Sequence, residues 1–238
     1  MDHVIAAVVC GALAGLAGWF VPRLVAAVPE PEPDDPPREP PKTLYVDVAA
    51  APGLASRAAA ASAAIGVVVG AWVGWDWALL FLVPWAPFGV ALSVIDWRTR
   101  LLPTWLLAPA YPVTIALVVL AGVLSQDWAD LRRAFFGWLV LGGYYVVLWL
   151  ISPRMMGYGD VRLAGLLGIM LGFLGWGEVV VGLFAPFFVF GIPVALTSLV
   201  KRRRPVGVPF GPAMLLAALL TVAIGGPIGH WYAERAGF

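Results

Sequence analysis

Apolar runs long enough to cross a bilayer alternate along this chain with short polar breaks. A bilayer core of about 30 Å takes roughly 20 apolar helical residues, fewer where flanking side chains reach the interface. By that measure the pattern predicts eight spans, at about 4–22, 58–75, 78–95, 104–124, 134–151, 161–177, 179–200 and 208–229. The expected fold is therefore all-α, a polytopic membrane protein with about eight transmembrane helices. Only Trp75–Asp76–Trp77 separates the second run from the third, a tight turn with two interfacial tryptophans. The start, MDHVIAAVV, has no basic n-region, so the first run is expected to be an uncleaved anchor rather than a signal peptide.

One break is longer than the rest. Between Pro29 and Lys42 stand seven prolines and five acidic residues, a composition that predicts an extended, solvated tether. A proline-rich docking site is the alternative to a plain linker. The expected division is a first transmembrane helix over 1–27, a Pro-rich cytoplasmic loop over 28–57, and a membrane domain of about seven helices over 58–238.

Composition agrees with the pattern: 61% of the residues are hydrophobic, 12% are charged, and the mean hydropathy is +0.90. Such values lie outside the range of soluble domains. A net charge of +1 leaves no basic surface for nucleic acid. One cysteine, Cys10, and two histidines, His3 and His230, supply neither a disulfide framework nor a zinc set, so no metal and no cofactor is expected.

Basic residues orient the spans. With the N-terminus outside, 12 of the 15 fall on the inner side, among them Arg98, Arg100, Arg154 and Arg162, and Arg132, Arg133 and Arg235 stay outside. The positive-inside rule then predicts both termini outside. Lys201–Arg204 reads as an anchor at the membrane face. Glycines at helical spacing, Gly11, Gly15 and Gly18 in the first span and Gly165, Gly168, Gly172 and Gly175 in the sixth, suit close helix packing. The alternative is a smooth groove for a substrate helix.

Two carboxylates stand apart from those in the outer loops. Asp96, in SVIDWRTRLLPTWLL, ends the third span, and Asp160, in GYGDVRLAGLLG, begins the sixth; the topology puts both on the inner side. An aspartate at a membrane boundary tends to be paired or functional. Asp160 alone could cap its helix, accepting from the amides of Arg162 or Leu163. Asp96 is harder to account for, because a negative charge meets the unfavourable end of the dipole there. A surface pair with Arg98 or Arg100 would contribute little. Taken together, two carboxylates in one site keep one proton between them. The ionised one can draw a proton from attacking water, and the protonated one can donate to the developing oxyanion. Gly157 and Gly159 would allow unusual backbone angles and the close approach of a substrate strand.

The motif GYGDVRLAGLLG resembles the GxGD motif of the type IV prepilin peptidases, membrane aspartyl proteases. IDWRTRLLPTWL is similar to that family's first aspartate motif, and VPFGPAMLLAALL, from Val208, resembles the opening of its last span. Order and spacing match. The resemblance implies a prepilin leader peptidase with Asp96 and Asp160 as catalytic residues. Gly157, Gly159 and Arg162 are expected to bind substrate, and Arg162 stands where the family usually has lysine. The implied partners are prepilins or pseudopilins, cut at the cytoplasmic face of the lipid bilayer. A cytoplasmic domain with paired CxxC motifs, found in many bifunctional members, has no counterpart here, so N-methylation is not expected. Two other classes compete with the protease: a small proton- or cation-coupled transporter using Asp96 and Asp160, and a catalytically silent assembly factor. The chain shows no repeat between halves, and both aspartates lie at span ends.

Overall fold

The computed structural model of the chain describes residues 1–30, 43–153, 156–201 and 209–236. Most of the Pro-rich loop, Arg154 and Arg202–Arg204 lie outside the described residues, and so do the expectations placed on them. Ten helices and no strand form among the described residues: α1 (Asp2–Gly18), α2 (Val21–Ala26), α3 (Tyr45–Ala49), α4 (Leu54–Val73), α5 (Leu79–Thr99), α6 (Thr104–Ser125), α7 (Trp128–Ile151), α8 (Tyr158–Leu174), α9 (Trp176–Lys201) and α10 (Gly211–Ala236).

Each of the eight apolar runs lies on a helix, with shifted ends. The first stops early, at Gly18, because Pro22 begins a new helix after the turn at Trp19–Phe20. The fifth starts six residues before its apolar run, at Trp128 rather than 134, because the Asp127 carboxylate accepts the Ala129 amide at 2.8 Å and caps the helix. Polar residues at the interface thus belong to helices that hydropathy alone cuts short. By length and composition five helices qualify as membrane spans: α4, α5, α6, α7 and the Gly211–Gly229 part of α10. The expected count of eight is therefore only partly matched. α1 and Trp176–Ile192 of α9 are apolar but shorter, and α8, with 17 residues, rises about 25 Å.

The short α8 sits inside the bundle, against α6, α7, α9 and α10. Its residues from Leu163 to Phe173 are all buried, so neighbouring helices rather than lipid set its length. Small residues make that centre possible. A Cβ on Gly172 would come within 2.5 Å of the Arg133 carbonyl oxygen, and one on Gly165 would meet Tyr111 and Trp138. The same holds between α1 and α4, where a Cβ on Gly70 would lie 2.5 Å from the Ala6 carbonyl oxygen. Backbones in lipid gain by close contact rather than by hydrophobic exclusion, so glycine faces seal helix pairs. The glycine stripes are packing surfaces, already filled by helices of this chain.

Part of the expected 28–57 loop is folded. Val28, Tyr45 and Val48 are buried, and α3 packs on α2 and α5. Glu30 accepts the amides of Tyr45 at 2.9 Å and Val46 at 2.8 Å, which supplies the start of α3 with an acceptor across the proline run. The folded stretch is held by the membrane helices.

Candidate active site

α5 ends where Arg100 adopts the left-handed conformation (φ 56°) and its amide closes on the Asp96 carbonyl at 2.8 Å. That places the Asp96 side chain one turn from the end of its own helix. The carboxylate then crosses to another helix. Asp96 Oδ2 accepts the Gly211 amide at 2.9 Å, at the first residue of α10. The charge that opposes the dipole of α5 meets the positive end of α10 instead. Neither Arg98 nor Arg100 pairs with it.

Asp160 stands in the first turn of α8, after the N-cap residue Gly157. Its Oδ2 accepts the Gly157 amide at 3.1 Å. The carboxylate reaches back to the start of the helix, as the third residue of a capped turn does. It does not accept from Arg162 or Leu163, whose amides lie further into the helix. Gly157 has φ of −72°, an ordinary value. The glycines flanking Asp160 therefore serve close approach and not an unusual backbone angle: a Cβ on Gly159 would lie 2.7 Å from Leu102 Cβ.

Leu102 joins the two halves of the site. It touches Gly159 of the Asp160 turn, and a Cβ on Gly211 would lie 3.4 Å from its Cδ1 and 2.8 Å from Asp96 Oδ2. Asp96 and Asp160 are 5% and 8% exposed, and Leu102 packs against both helix starts that hold them. Among the described residues neither meets a cation, and each accepts one backbone amide. Two carboxylates in one buried site can keep one proton between them, and one member of each kind is what water activation needs.

The remaining expected residue, Arg162, donates to the Thr104 hydroxyl and lies 4.7 Å over the Tyr158 ring. Tyr111 donates to the Arg162 carbonyl at 2.8 Å. These contacts fasten α8 to α6 beside Asp160. Gly211, Leu102 and Thr104 carry parts of the site that the sequence reading did not assign. The signal for Gly211 was present in the VPFGPAM motif, but its bond to Asp96 spans 115 residues. An apolar cleft of about 530 Å³ opens between α4, α5, α8 and α10; Ser93, Trp97 and Pro212, chain neighbours of Asp96 and Gly211, line it, and neither carboxylate does.

A sequence profile described as the type IV leader peptidase family matches residues 85–229, more than half of the chain and both aspartates. Curated proteins named prepilin leader peptidase/N-methyltransferase are similar to it. The one from Aeromonas salmonicida (strain A449) is 31% identical over 163 residues, which are 67% of this chain and 53% of that protein. The Pseudomonas aeruginosa protein is 28% identical over 166 residues, 69% of this chain and 55% of its own length. The Escherichia coli (strain K12) protein is 31% identical over 145 residues, 57% and 59% of the two chains. The chain thus spans about half the length of the first curated relatives it matches. No solved structure matches it.

Proposed function

This chain belongs to the type IV leader peptidase family, and from that premise we propose that it is a membrane aspartyl endopeptidase that removes the leader of type IV prepilins or pseudopilins. One observation carries the reading: Asp96 and Asp160, from helices far apart in the chain, are buried at one end of the bundle, each bonded to a glycine amide and, among the described residues, neither bonded to a cation. The ionised member takes a proton from water as the water oxygen bonds to the scissile carbonyl carbon. The protonated member gives its proton to the carbonyl oxygen. Collapse of the tetrahedral species breaks the C–N bond: the leaving nitrogen takes the proton that came from water, and a hydroxyl of the gem-diol returns a proton to the other carboxylate, which restores the singly protonated pair. The N-terminal ends of α8 and α10, on which the two carboxylates rest, favour the single negative charge that the pair keeps.

The substrate's apolar helix would lie in the bilayer along the cleft beside Asp96, with Gly157, Gly159 and Arg162 shaping the path of the chain into the site. The site would face the cytoplasm, on the side where the basic residues concentrate. Cleavage without methyl transfer is part of the proposal, since the chain between α1 and α4 carries no CxxC pair.

Processing of a cognate prepilin in membranes tests the activity. Asp96→Asn and Asp160→Asn are each expected to insert normally and leave the prepilin uncut; substantial cleavage by either removes that residue from the reaction. The face is tested by single cysteines in a Cys10→Ala background with a membrane-impermeant thiol reagent. Intact cells are expected to label position 76 and not position 98, and the reverse pattern overturns the orientation.

A further inference from the structure

Tyr145, on α7, is 1% exposed. Its ring is stacked on Phe187 with centroids 5.9 Å apart and lies 6.3 Å from Phe210, the residue before Gly211. A phenylalanine would make both contacts equally well. The hydroxyl is another matter, for it is buried and has no hydrogen-bond partner among the described residues. A buried O–H without an acceptor is destabilising, and each such group in a folded protein needs an explanation. α7 runs antiparallel to α8 here: a Cβ on Gly142 would lie 3.5 Å from Gly165 Cα, and the Trp149 ring lies 5.2 Å from that of Tyr158. These two contacts bracket Tyr145 across from the first turns of α8, which carry Asp160. Leu102 links that end of α8 to Gly211, whose amide Asp96 accepts. Tyr145 therefore stands behind the carboxylate pair, its ring fixed by the aromatic residues that border Gly211.

We propose that Tyr145 is a positioning residue of this site, its hydroxyl donating a hydrogen bond that reaches Asp160 through one water molecule. The inference rests on the protease reading of the same pair. Tyr145 stays neutral throughout, and no bond to it forms or breaks. It orients the carboxylate and favours its ionised form, since a donor to a carboxylate stabilises the charge.

Tyr145→Phe removes the hydroxyl and keeps the ring contacts. Its cleavage rate is expected to fall about 10-fold, in kcat rather than KM, the worth of one hydrogen bond to a charged group. The acidic limb of the pH–rate profile is expected to move to higher pH. A second measurement uses no substrate: the pH dependence of the unfolding temperature of the purified full chain. Tyr145→Phe is expected to move to higher pH the loss of stability that accompanies ionisation of the pair in the wild-type background, and to leave it unmoved in an Asp160→Asn background. A wild-type rate with an unchanged pH profile overturns the proposal, as does a shift that persists without the Asp160 carboxyl. The unfolding measurement decides about Tyr145 even if both asparagine variants cleave normally, an outcome that would remove the protease reading alone.

Discussion

At the N-terminal end of α8, Asp160 accepts the Gly157 amide and shares its surroundings with Asp96, and no cation reaches either carboxylate among the described residues. At the C-terminal end, about 20 Å away, Arg133 binds Asp130 and donates to the Phe173 carbonyl at 3.1 Å. Both ends satisfy the helix dipole, with a carboxylate at the positive end and a guanidinium at the negative end. Only the second end also neutralises its carboxylate. Asp130 has a permanent cation beside it, so its charge is balanced within the pair. Asp96 and Asp160, in the function proposed, share their charge, and that is the property from which acid–base chemistry can be made. Two differences separate the ends: Asp130 is 17% exposed where Asp96 and Asp160 are 5% and 8% exposed, and among the described residues only Asp130 has a cation beside it.

Neutral substitutions at the two ends sharpen this contrast most. Asp96→Asn and Asp160→Asn are expected to lower prepilin cleavage by at least about 100-fold, because asparagine can neither accept the proton of water nor carry the shared one. Their unfolding temperatures should stay near that of the wild type, since asparagine keeps an acceptor for the glycine amide. Rate and stability measured on the same preparations check both halves of the expectation. A variant that loses activity only by failing to fold would erase the distinction between the ends.

Gly211→Ala probes the geometry of the pair with its chemistry left in place. The new Cβ would lie 2.8 Å from Asp96 Oδ2, so the carboxylate or the start of α10 must move. A loss of about 10-fold in kcat is expected, the scale on which misplacing a reacting group by a fraction of an ångström acts. Unchanged kcat would mean that the 2.9 Å bond to the Gly211 amide does not orient Asp96 for the reaction.

What the sequence disclosed divides along a physical line. Properties that depend on near neighbours were legible: each apolar run became a helix, and the two aspartates stood out by their place at run ends. Properties that depend on distant partners were hidden. Asp96 looked misplaced at a helix C-terminus because the dipole that accommodates it belongs to α10, and hydropathy says nothing of which helix ends meet. Tyr145 carried no signal in the sequence, and only the fold buries it against Phe187 and Phe210. The glycines around Asp160 suggested backbone freedom, whereas Gly159 serves an approach to Leu102. Helix ends were misjudged for a simpler reason. Caps such as Asp127 are polar, so an apolar count stops before them.

The opposite end should respond differently. Asp130→Asn removes the partner of Arg133, which keeps the Phe173 carbonyl and remains partly solvated. The expected cost is about 1 kcal/mol of stability or less, the usual worth of a partly exposed pair, with cleavage unchanged. Thermal unfolding and the prepilin assay together check it. A large loss of cleavage here would show that the charge balance at one end of α8 is transmitted to the other.

The smallest effect is expected of Arg162→Lys. Arg162 braces the site from outside: its guanidinium reaches the Thr104 hydroxyl and covers Tyr158, and Tyr111 holds its carbonyl. Lysine keeps the positive charge beside the path proposed for the substrate and can still donate to Thr104. It loses the planar stack on Tyr158, and at a half-exposed ring such a contact is worth about 0.5–1 kcal/mol. Neither contact includes a carboxylate of the pair. KM is therefore expected to change by less than about 3-fold and kcat to stay the same. Arg162→Ala, which removes the charge as well, should raise KM further and again spare kcat. Steady-state kinetics of the two variants separate the possibilities. If turnover by the lysine variant fell to about a tenth of the wild-type rate or below, Arg162 would belong inside the reaction. The division between the pair that handles protons and the residues that guide the chain would then have to be redrawn.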